Sequence, residues 1–316
     1  MPLDPQAQDF LRRLAAANLP SFQEQTVAQL RDQMNMSTHF LGELPKVAHV
    51  EDRGIPGPGG TLRVRIITPQ AAGNGLLPVL VYFHGGGWVL GNIESHEGIC
   101  RALANAGGVI VVTVDYRLAP EHRFPAAAED AYAATRWAAE HAAEFGGDPR
   151  RIAVAGDSTG GNLAAVTCLM ARDRGGPRVD FQVLLYPITD YNINTGSYTA
   201  FADGFFLSRS EMAWYWEHYV EKAEDRRHPH ASPSRAADLY HLPPALLITA
   251  EFDVLRDEAE AYARRLQAAG VAAKLRRYDG MIHGFIRRYP FFDQGRAAIA
   301  EIGRELRTAL STTDRN

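Results

Sequence analysis

The chain contains 316 residues, of which 46% are hydrophobic and 22% are charged, a composition typical of a globular protein with a large core. The formal net charge is only −4 and no cluster of Lys or Arg stands out, which argues against binding to nucleic acid or anionic lipid. The first residues lack a signal-peptide pattern, and no apolar run approaches the ~20 residues of a membrane helix, so a cytoplasmic protein is expected. Cys100 and Cys168 lie within apolar helical patterns, which predicts buried thiols and no disulfide framework.

The N-terminal part of the chain is predicted to be helical. Residues 4–40 contain two helical patterns and no strand signal, and Pro20 and Ser21 mark a break between them. From about residue 46, strand-like runs alternate with helical ones. Strands are predicted at 61–66, 79–83, 109–114, 151–155, 181–186, 245–250 and 272–278. Helices are predicted at 95–106, 126–144, 161–172, 257–269 and 295–310. This alternation predicts an α/β fold, with a mostly parallel sheet and crossover helices.

Residues 190–235 interrupt this alternation, since they contain no convincing strand and many aromatic residues. Met212, Trp216 and Tyr219 share one helical face, which favours a helix packed on the core through aromatic side chains. Alternatively, the segment forms a lid whose aromatic residues line a pocket. A helical insertion at the functional end of a sheet can do both.

A turn after one predicted strand is the first candidate for chemistry. Residues 156–160 read Gly-Asp-Ser-Thr-Gly and lie between a predicted strand and a predicted helix, which is the context of a nucleophile elbow. On such a turn the hydroxyl of Ser158 projects clear of the backbone, near the free N–H groups of a helix N-terminus. The motif alone is weak, because glycine and serine are common in ordinary turns. Its interpretation depends on a base, an orienting acid and an oxyanion hole.

Three adjacent glycines follow another predicted strand. The sequence His-Gly-Gly-Gly-Trp begins at His84, and backbone without Cβ atoms can turn its N–H groups towards a substrate oxygen. We expect Gly86 and Gly87, together with the N–H of Thr159, to form an oxyanion hole in a loop that Gly85 shapes. The alternative is a flexible glycine turn. His84 itself is expected to form structural hydrogen bonds rather than to act as a base.

The base and the acid are expected after later strands, because the order serine, acid, histidine is typical of α/β-hydrolases. His283 lies in Gly-Met-Ile-His-Gly-Phe, just past the last predicted strand, and is the candidate base. Asp253 follows the strand at 245–250 and is the preferred acid, whereas Asp257 opens a helix and is expected to cap it. Asp279 lies close to His283 in sequence and remains a third candidate.

These motifs resemble those of the hormone-sensitive-lipase-like esterases, bacterial carboxylesterases of the α/β-hydrolase superfamily. The resemblance rests on the segment from His84, on Asp-Tyr-Arg-Leu-Ala-Pro-Glu-His from Asp115, on the elbow, and on the segments around Asp253 and His283. It extends over nearly the whole chain and implies an α/β-hydrolase fold with the triad Ser158, Asp253 and His283. It also implies N-terminal cap helices at 1–45, a catalytic core at 46–189 and 236–316, and a cap insertion at 190–235.

The resemblance implies a serine carboxylesterase that hydrolyses short-chain acyl esters through an acyl-enzyme intermediate, with no metal or organic cofactor. A pocket crowded by Trp88 and by aromatic residues of the insertion is compatible with short acyl groups. The same triad would serve an amidase or a deacetylase of an acylated natural product. The presence of His283 disfavours a ligand-binding protein without catalysis. Family members often pair through the last strand and helix, which suggests a homodimer.

Two residues near the elbow and the acid depart from the usual family pattern, and a third marks a branch of the family. Thr159 stands where the family mostly has alanine, and because its side chain is branched and lies beside the oxyanion hole, this departure leaves the accepted substrate size open. Val254 stands where proline is common after the acid, and neither departure removes a catalytic atom. Asp157 places the chain in the Gly-Asp-Ser branch and is expected to bond the local backbone of the turn.

Overall fold

The computed structural model describes residues 2–71 and 75–311 of the chain. Within those two ranges there are eight strands and nine α-helices. The strands are β1 (His49–Gly57), β2 (Gly60–Thr68), β3 (Leu77–Phe83), β4 (Ile110–Val114), β5 (Gly147–Asp157), β6 (Phe181–Leu185), β7 (Ala245–Phe252) and β8 (Ala273–Ile282). The helices are α1 (Pro5–Ala16), α2 (Val27–Ser37), α3 (Ile93–Gly107), α4 (Ala126–His141), α5 (Thr159–Asp173), α6 (Gly196–Ala200), α7 (Arg209–Tyr219), α8 (Arg256–Ala268) and α9 (Asp293–Ala309). Short 3₁₀ turns lie at Phe22–Glu24, Thr38–Leu41, Ala142–Phe145, Ala223–Arg227 and Pro233–Arg235.

The strands form one sheet in the order β1-β2-β4-β3-β5-β6-β7-β8. β2 pairs antiparallel with both β1 and β4, whereas every other neighbouring pair is parallel. Helices cover both faces, because α3 and α9 pack together on one apolar core and α4, α5 and α8 contribute to the other. The predicted α/β class with a mostly parallel sheet is confirmed.

The central strands owe their continuous apolar sequences to burial on both faces. All side chains of residues 79–83 and 110–114 are buried. A parallel sheet sandwiched between helices requires such runs, since neither face meets water. Because these strands are parallel, their carboxyl ends lie at one edge of the sheet, and the loops that carry functional side chains begin there.

The sequence pattern predicts every strand except β1. That strand contains Gly54 and Pro56 and lies at the edge of the sheet with few buried side chains, so it lacks the apolar alternation on which the prediction depends. β8 also continues past its predicted end at residue 278, up to Ile282. This extension places His283 directly at the end of the strand.

The N-terminal helices are fastened to the carboxyl edge of the sheet by polar contacts. The N–H of Asp4, the N-cap of α1, donates to the carbonyl oxygen of Gly280 at 3.0 Å. Arg31 of α2 donates to the carbonyl oxygens of Val89 and Ala119 and pairs with Glu121 at 2.7 Å. α1 therefore contacts the end of β8, and α2 contacts the loops that follow β3 and β4.

Residues 190–235 contain α6 and α7 and no strand, as predicted. Met212, Trp216 and Tyr219 of α7 are each at most 1% exposed. The ring of Tyr219 stacks on that of Trp88, with centroids 4.0 Å apart. The predicted packing of one helical face on the core is thus present. Other residues of the segment, among them Phe206, Leu207 and Tyr215, line a cavity.

Two further expectations concern the thiols and the membrane. Cys100 and Cys168 are buried and unpaired, and burial raises the pKa of both thiols. Among residues 2–71 and 75–311, no helix has both the length and the apolar character needed to cross a bilayer.

Candidate active site

Ser158 lies between β5 and α5 with a strained backbone conformation. Its φ is 56° and its ψ is −114°, values that non-glycine residues rarely adopt. The backbone is held there on both sides. The N–H of Ser158 donates to Leu185 at 2.8 Å, and its carbonyl oxygen accepts from the N–H groups of Asn162 and Ile188. The sharp turn predicted for the elbow is therefore present and firmly anchored.

The glycines of the elbow allow the turn to pack against the end of β3. A Cβ on Gly160 would overlap the carbonyl oxygen of Phe83, and one on Gly156 would overlap the backbone of Gly160. The contacting atoms are backbone atoms, so no side-chain rearrangement would relieve the overlap. The elbow consequently needs glycine at both positions.

Three predicted site residues form one chain of hydrogen bonds. The Nε2 of His283 lies 3.0 Å from the Oγ of Ser158, and its Nδ1 lies 2.7 Å from Oδ2 of Asp253. The other carboxylate oxygen of Asp253 accepts from the N–H of Leu255 at 2.9 Å. All three members are buried, with Ser158 the most exposed at 9%. The arrangement is that of a nucleophile, a base and an orienting acid.

The other candidate acids lie away from His283. Asp257 is in the first turn of α8, but its carboxylate accepts from the N–H of Ser197 at 2.7 Å and pairs with Arg256. It therefore caps α6 and not its own helix, which corrects that part of the prediction. Asp279 is an exposed residue of β8 and forms no side-chain contact with the histidine within the described residues.

The three glycines after β3 divide into two roles. The N–H of Gly85 is already used, because it donates to Oδ1 of Asp157 at 3.0 Å. Gly86 and Gly87 have φ values of 127° and 61°, and their N–H groups donate to no acceptor among the described residues. A Cβ on Gly87 would overlap the ring of Tyr215. The loop thus leaves two N–H groups free, on residues that line the same cavity as Ser158.

Thr159 is the first residue of α5, so its N–H has no acceptor within the helix and is available beside the nucleophile. Its side chain, however, is fully buried, and it does not line the main cavity as far as the described residues define it. The side chain therefore adds no surface to the described part of this cavity. The branched side chain points into the protein interior.

Asp157 joins the elbow to the glycine loop. Besides Gly85, its Oδ1 accepts from the hydroxyl of Tyr82 at 2.7 Å, and its Oδ2 lies 3.5 Å from Nε2 of His96. Burial alone would raise the pKa of Asp157, but His96, Tyr82 and Arg287 together hold it below its ordinary value. The expectation of a purely local backbone contact is wrong, since these partners lie far away in sequence.

His84 and Tyr116 support the glycine loop from behind. The two rings stack with centroids 4.2 Å apart, and the hydroxyl of Tyr116 donates to the carbonyl oxygen of His84 at 2.8 Å. Burial and the neighbouring His96 lower the pKa of His84 to about 3, so its ring is neutral at physiological pH. This is the structural role expected for His84. The sequence contained no signal for the part that Tyr116 plays.

A cavity of about 1560 Å³ opens in front of Ser158 and His283 and is called the main cavity here. Its walls come from α1, α2, the glycine loop, the segment before α7, α7 itself and the loop after β8. Phe206, Leu207 and Tyr215 contribute aromatic and aliphatic surface. Trp88 does not line it within the described chain, because its ring is buried against α7. The expected crowding by Trp88 is therefore absent.

Metal ligands are not grouped near this site. Within the ranges that the structure describes, no three His, Cys, Asp or Glu side chains are placed so that they could hold a metal ion. The acidic and imidazole groups near Ser158 instead bond to each other and to the backbone.

Comparisons with known proteins agree with this geometry. A family model described as alpha/beta hydrolase fold matches residues 80–287. The chain is 45% identical over 268 residues to the carboxylic ester hydrolase LipN of Mycobacterium tuberculosis, covering 83% of this chain and 71% of LipN. It is 40% identical to the ethyl acetate hydrolase of Pseudomonas putida, covering 72% of this chain and 73% of that protein.

A solved structure extends the likeness to almost every residue. The esterase of Pyrobaculum calidifontis superposes with a TM-score of 0.91 at 46% identity, covering 98% of this chain and 100% of the esterase. The sheet order and the helices on both faces agree with the alpha/beta hydrolase fold. The chain therefore belongs to the hormone-sensitive-lipase-like carboxylesterases of the α/β-hydrolase fold family.

Proposed function

We propose that Ser158, His283 and Asp253 form the catalytic triad of a serine carboxylesterase. The observation that carries the proposal is the continuous chain of hydrogen bonds from Asp253 through His283 to Ser158, at 2.7 and 3.0 Å. Ester hydrolysis is also the activity named for the relatives LipN and ethyl acetate hydrolase. No metal or organic cofactor takes part in the proposed reaction.

In the acylation step the Oγ of Ser158 attacks the ester carbonyl carbon while Nε2 of His283 accepts the hydroxyl proton. Asp253 keeps the proton on Nδ1 and stabilises the imidazolium that forms. The negative charge that develops on the carbonyl oxygen is bound by the free N–H groups of Gly86 and Gly87 and by that of Thr159. Each donor is fixed before the reaction, so it needs no reorganisation when the charge appears.

Collapse of this intermediate releases the alcohol, which takes the proton from His283, and leaves an acyl group on Ser158. A water molecule then attacks the acyl-enzyme with His283 again as the base. Release of the acid regenerates the hydroxyl of Ser158. The proton of Ser158 thus leaves with the alcohol, and a proton of the attacking water, carried by His283, replaces it on Ser158.

We assign short-chain acyl esters as the substrates. The name of the ethyl acetate hydrolase of Pseudomonas putida supports this assignment. The main cavity, at about 1560 Å³, is larger than a short acyl group fills, so we assign the remaining space to the alcohol part of the ester.

We also propose that residues 1–45 and 190–235 together form a cap over the core at 46–189 and 236–316. Both segments supply walls of the main cavity, among them α1, α2 and α7. They also touch each other, since the ring of Phe22 lies 4.9 Å from that of Trp214. In this proposal the two segments form one cap, because they pack against each other.

A homodimer through β8 is proposed as well, because β8 is the last strand of the sheet in the described chain. Its basic side chains are paired within the molecule, Lys274 and Arg276 with Glu301 and Arg277 with Glu260. The backbone edge would therefore be the contact surface.

Light scattering coupled to size-exclusion chromatography tests the dimer. We expect about twice the mass of one chain, and a mass of one chain at all concentrations contradicts the dimer.

The reaction class is tested with p-nitrophenyl esters from acetate to palmitate, alongside arylamides of the same acyl groups. We expect turnover of the esters, with the highest kcat/KM for the short acyl chains and little or none for the amides. A shared triad serves both kinds of acyl transfer, so only this comparison separates them. Turnover of an amide without turnover of any ester would identify an amidase and contradict the proposal.

The triad is tested by substitution with a matched control. Ser158→Ala and His283→Ala are expected to abolish turnover, and Asp253→Asn to lower kcat by about 10⁴, because the imidazole loses its orienting carboxylate. Asp257→Asn is the control, since that carboxylate contacts α6 and not His283. Thermal unfolding of each variant checks the fold. If Asp257→Asn lowers kcat more than Asp253→Asn, the acid is wrongly assigned.

Asp157 is expected to position the oxyanion donors. Asp157→Ala removes the acceptor that holds Gly85, so the donors at Gly86 and Gly87 shift and kcat should fall by roughly 10². KM should change little, because the lost interaction acts in the transition state. Asp157→Asn retains an acceptor oxygen and should lose less. Stopped-flow and steady-state rates measure both, and wild-type kcat in Asp157→Ala would refute the positioning role.

A further inference from the structure

Two arginines follow the loop of His283 and line the same cavity as the nucleophile. Arg287 and Arg288 are both part of the wall of the main cavity. Their hydrogen bonds go to the backbone carbonyl oxygens of Ser95 and Gly284, and neither guanidinium forms an ion pair with a carboxylate of the described residues. Both side chains therefore bring positive charge to the cavity without a direct carboxylate contact.

Arg287 is almost completely buried behind the glycine loop. It is 4% exposed, and its Nε donates to the carbonyl oxygen of Ser95 at 3.1 Å. Its Nη2 is also buried and has no acceptor among the described residues. Asp157 is the carboxylate that compensates its charge, without a direct contact. A buried guanidinium nitrogen without an acceptor is unfavourable, so Arg287 keeps an unused donor behind the cavity wall.

Arg288 is held in place closer to the catalytic base. Its guanidinium lies 4.2 Å from the ring centroid of Phe206 and 5.6 Å from that of Phe10. Its Nη1 donates to the carbonyl oxygen of Gly284 at 3.3 Å, and a Cβ on that glycine would lie 2.6 Å from Nη1. The group is thus fixed against the residue that follows His283, with its other N–H groups uncommitted within the described chain.

The charge of Arg288 persists at neutral pH. Burial and repulsion from Arg287 lower the pKa of Arg288 to about 9, which still leaves the guanidinium protonated. Aromatic rings on two sides restrict its rotation, and a guanidinium held in one plane presents its N–H groups as a fork that fits a carboxylate.

The acidic groups around the main cavity form no ion pair with these arginines within the described residues. Asp9 of α1 pairs with Arg12 and Arg13. Glu211 accepts from the N–H and the hydroxyl of Ser208, and burial raises its pKa towards the neutral form. Asp157 is engaged by Tyr82 and Gly85, and Asp32 is an exposed residue of the cavity wall on α2. None of these carboxylates forms an ion pair with Arg287 or Arg288 among the described residues.

We propose that Arg288, with Arg287 behind it, binds a free carboxylate on the substrate, so that the enzyme prefers esters carrying such a group near the ester bond. The inference rests on the proposed esterase function and names its substrate class. The carboxylate can belong to the acyl part, as in a half-ester of a dicarboxylic acid, or to the alcohol part, as in an acyloxy acid. Arg288 is a binding residue that acts on specificity and takes no part in proton transfer.

The test compares each carboxylate substrate with the carboxamide of the same shape. Monoethyl succinate against ethyl succinamate probes the acyl part, and acetoxyacetate against acetoxyacetamide probes the alcohol part, with acid release followed by titration. We expect the wild-type enzyme to have at least a tenfold higher kcat/KM for the carboxylate in one pair, as a charge-assisted hydrogen bond provides. A ratio of one or less in both pairs overturns the inference.

Variants then assign the preference to a residue. Arg288→Gln is expected to lower the carboxylate-to-carboxamide ratio of kcat/KM by about 10- to 100-fold, and Arg288→Lys to restore part of it. Arg13→Gln is the control, because Arg13 also lies on the cavity wall but pairs with Asp9, and it should leave the ratio unchanged. An unchanged ratio in Arg288→Gln overturns the assignment to Arg288.

The outcomes separate this inference from the esterase proposal. Turnover of the carboxamide esters and of p-nitrophenyl acetate without any preference for carboxylates overturns only the inference. Failure to hydrolyse every ester, in an enzyme that unfolds cooperatively on heating, overturns the proposed function itself. The wild-type ratio needs no variant, so a poorly folded Arg288→Gln would not remove the test.

Discussion

The active site depends on the buried carboxylate of Asp157, which joins two loops that come from different strands. It is the last residue of β5 and accepts hydrogen bonds from Gly85 after β3 and from Tyr82 within β3. A buried charge is tolerated only when its partners are in place, so this contact is satisfied in one arrangement of the two loops. The same arrangement brings Ser158 and the free N–H groups of Gly86 and Gly87 to one cavity. The relative position of the proposed nucleophile and the proposed oxyanion donors is therefore part of the folded core.

In this arrangement the parallel sheet fixes the loops, and backbone strain is found at Ser158. Ser158 carries an unfavourable φ of 56°, which costs of order 1–3 kcal/mol and persists because hydrogen bonds to neighbouring segments hold it. Asp253 and His283 follow β7 and β8, so they reach Ser158 from the same edge of the sheet. The loops contribute the chemistry, whereas strands buried on both faces fix the distances between them.

Much of this could be predicted from local sequence, and the exceptions share a physical cause. The buried strands, the crossover helices and the residues Ser158, Asp253 and His283 were accessible because each depends on pattern or chain order. β1 was missed, since an exposed edge strand needs no apolar alternation. The burial of Trp88 away from the cavity and the partners of Asp157 do not follow from local pattern, because contacts between distant segments determine them. Arg288 gave no signal for the same reason.

The substrate surroundings are consequently determined by contacts between cap and core. Arg288 belongs to the loop after β8, yet Phe10 of α1 and Phe206 of the insertion hold its guanidinium. In the same way Tyr215 of α7 packs directly on Gly87, a proposed oxyanion donor. A change in the proposed cap that moves one of these rings would therefore also move Arg288 or Gly87. The proposed specificity is thus physically linked to the attachment of the cap, whereas Ser158, Asp253 and His283 lie outside the two cap segments.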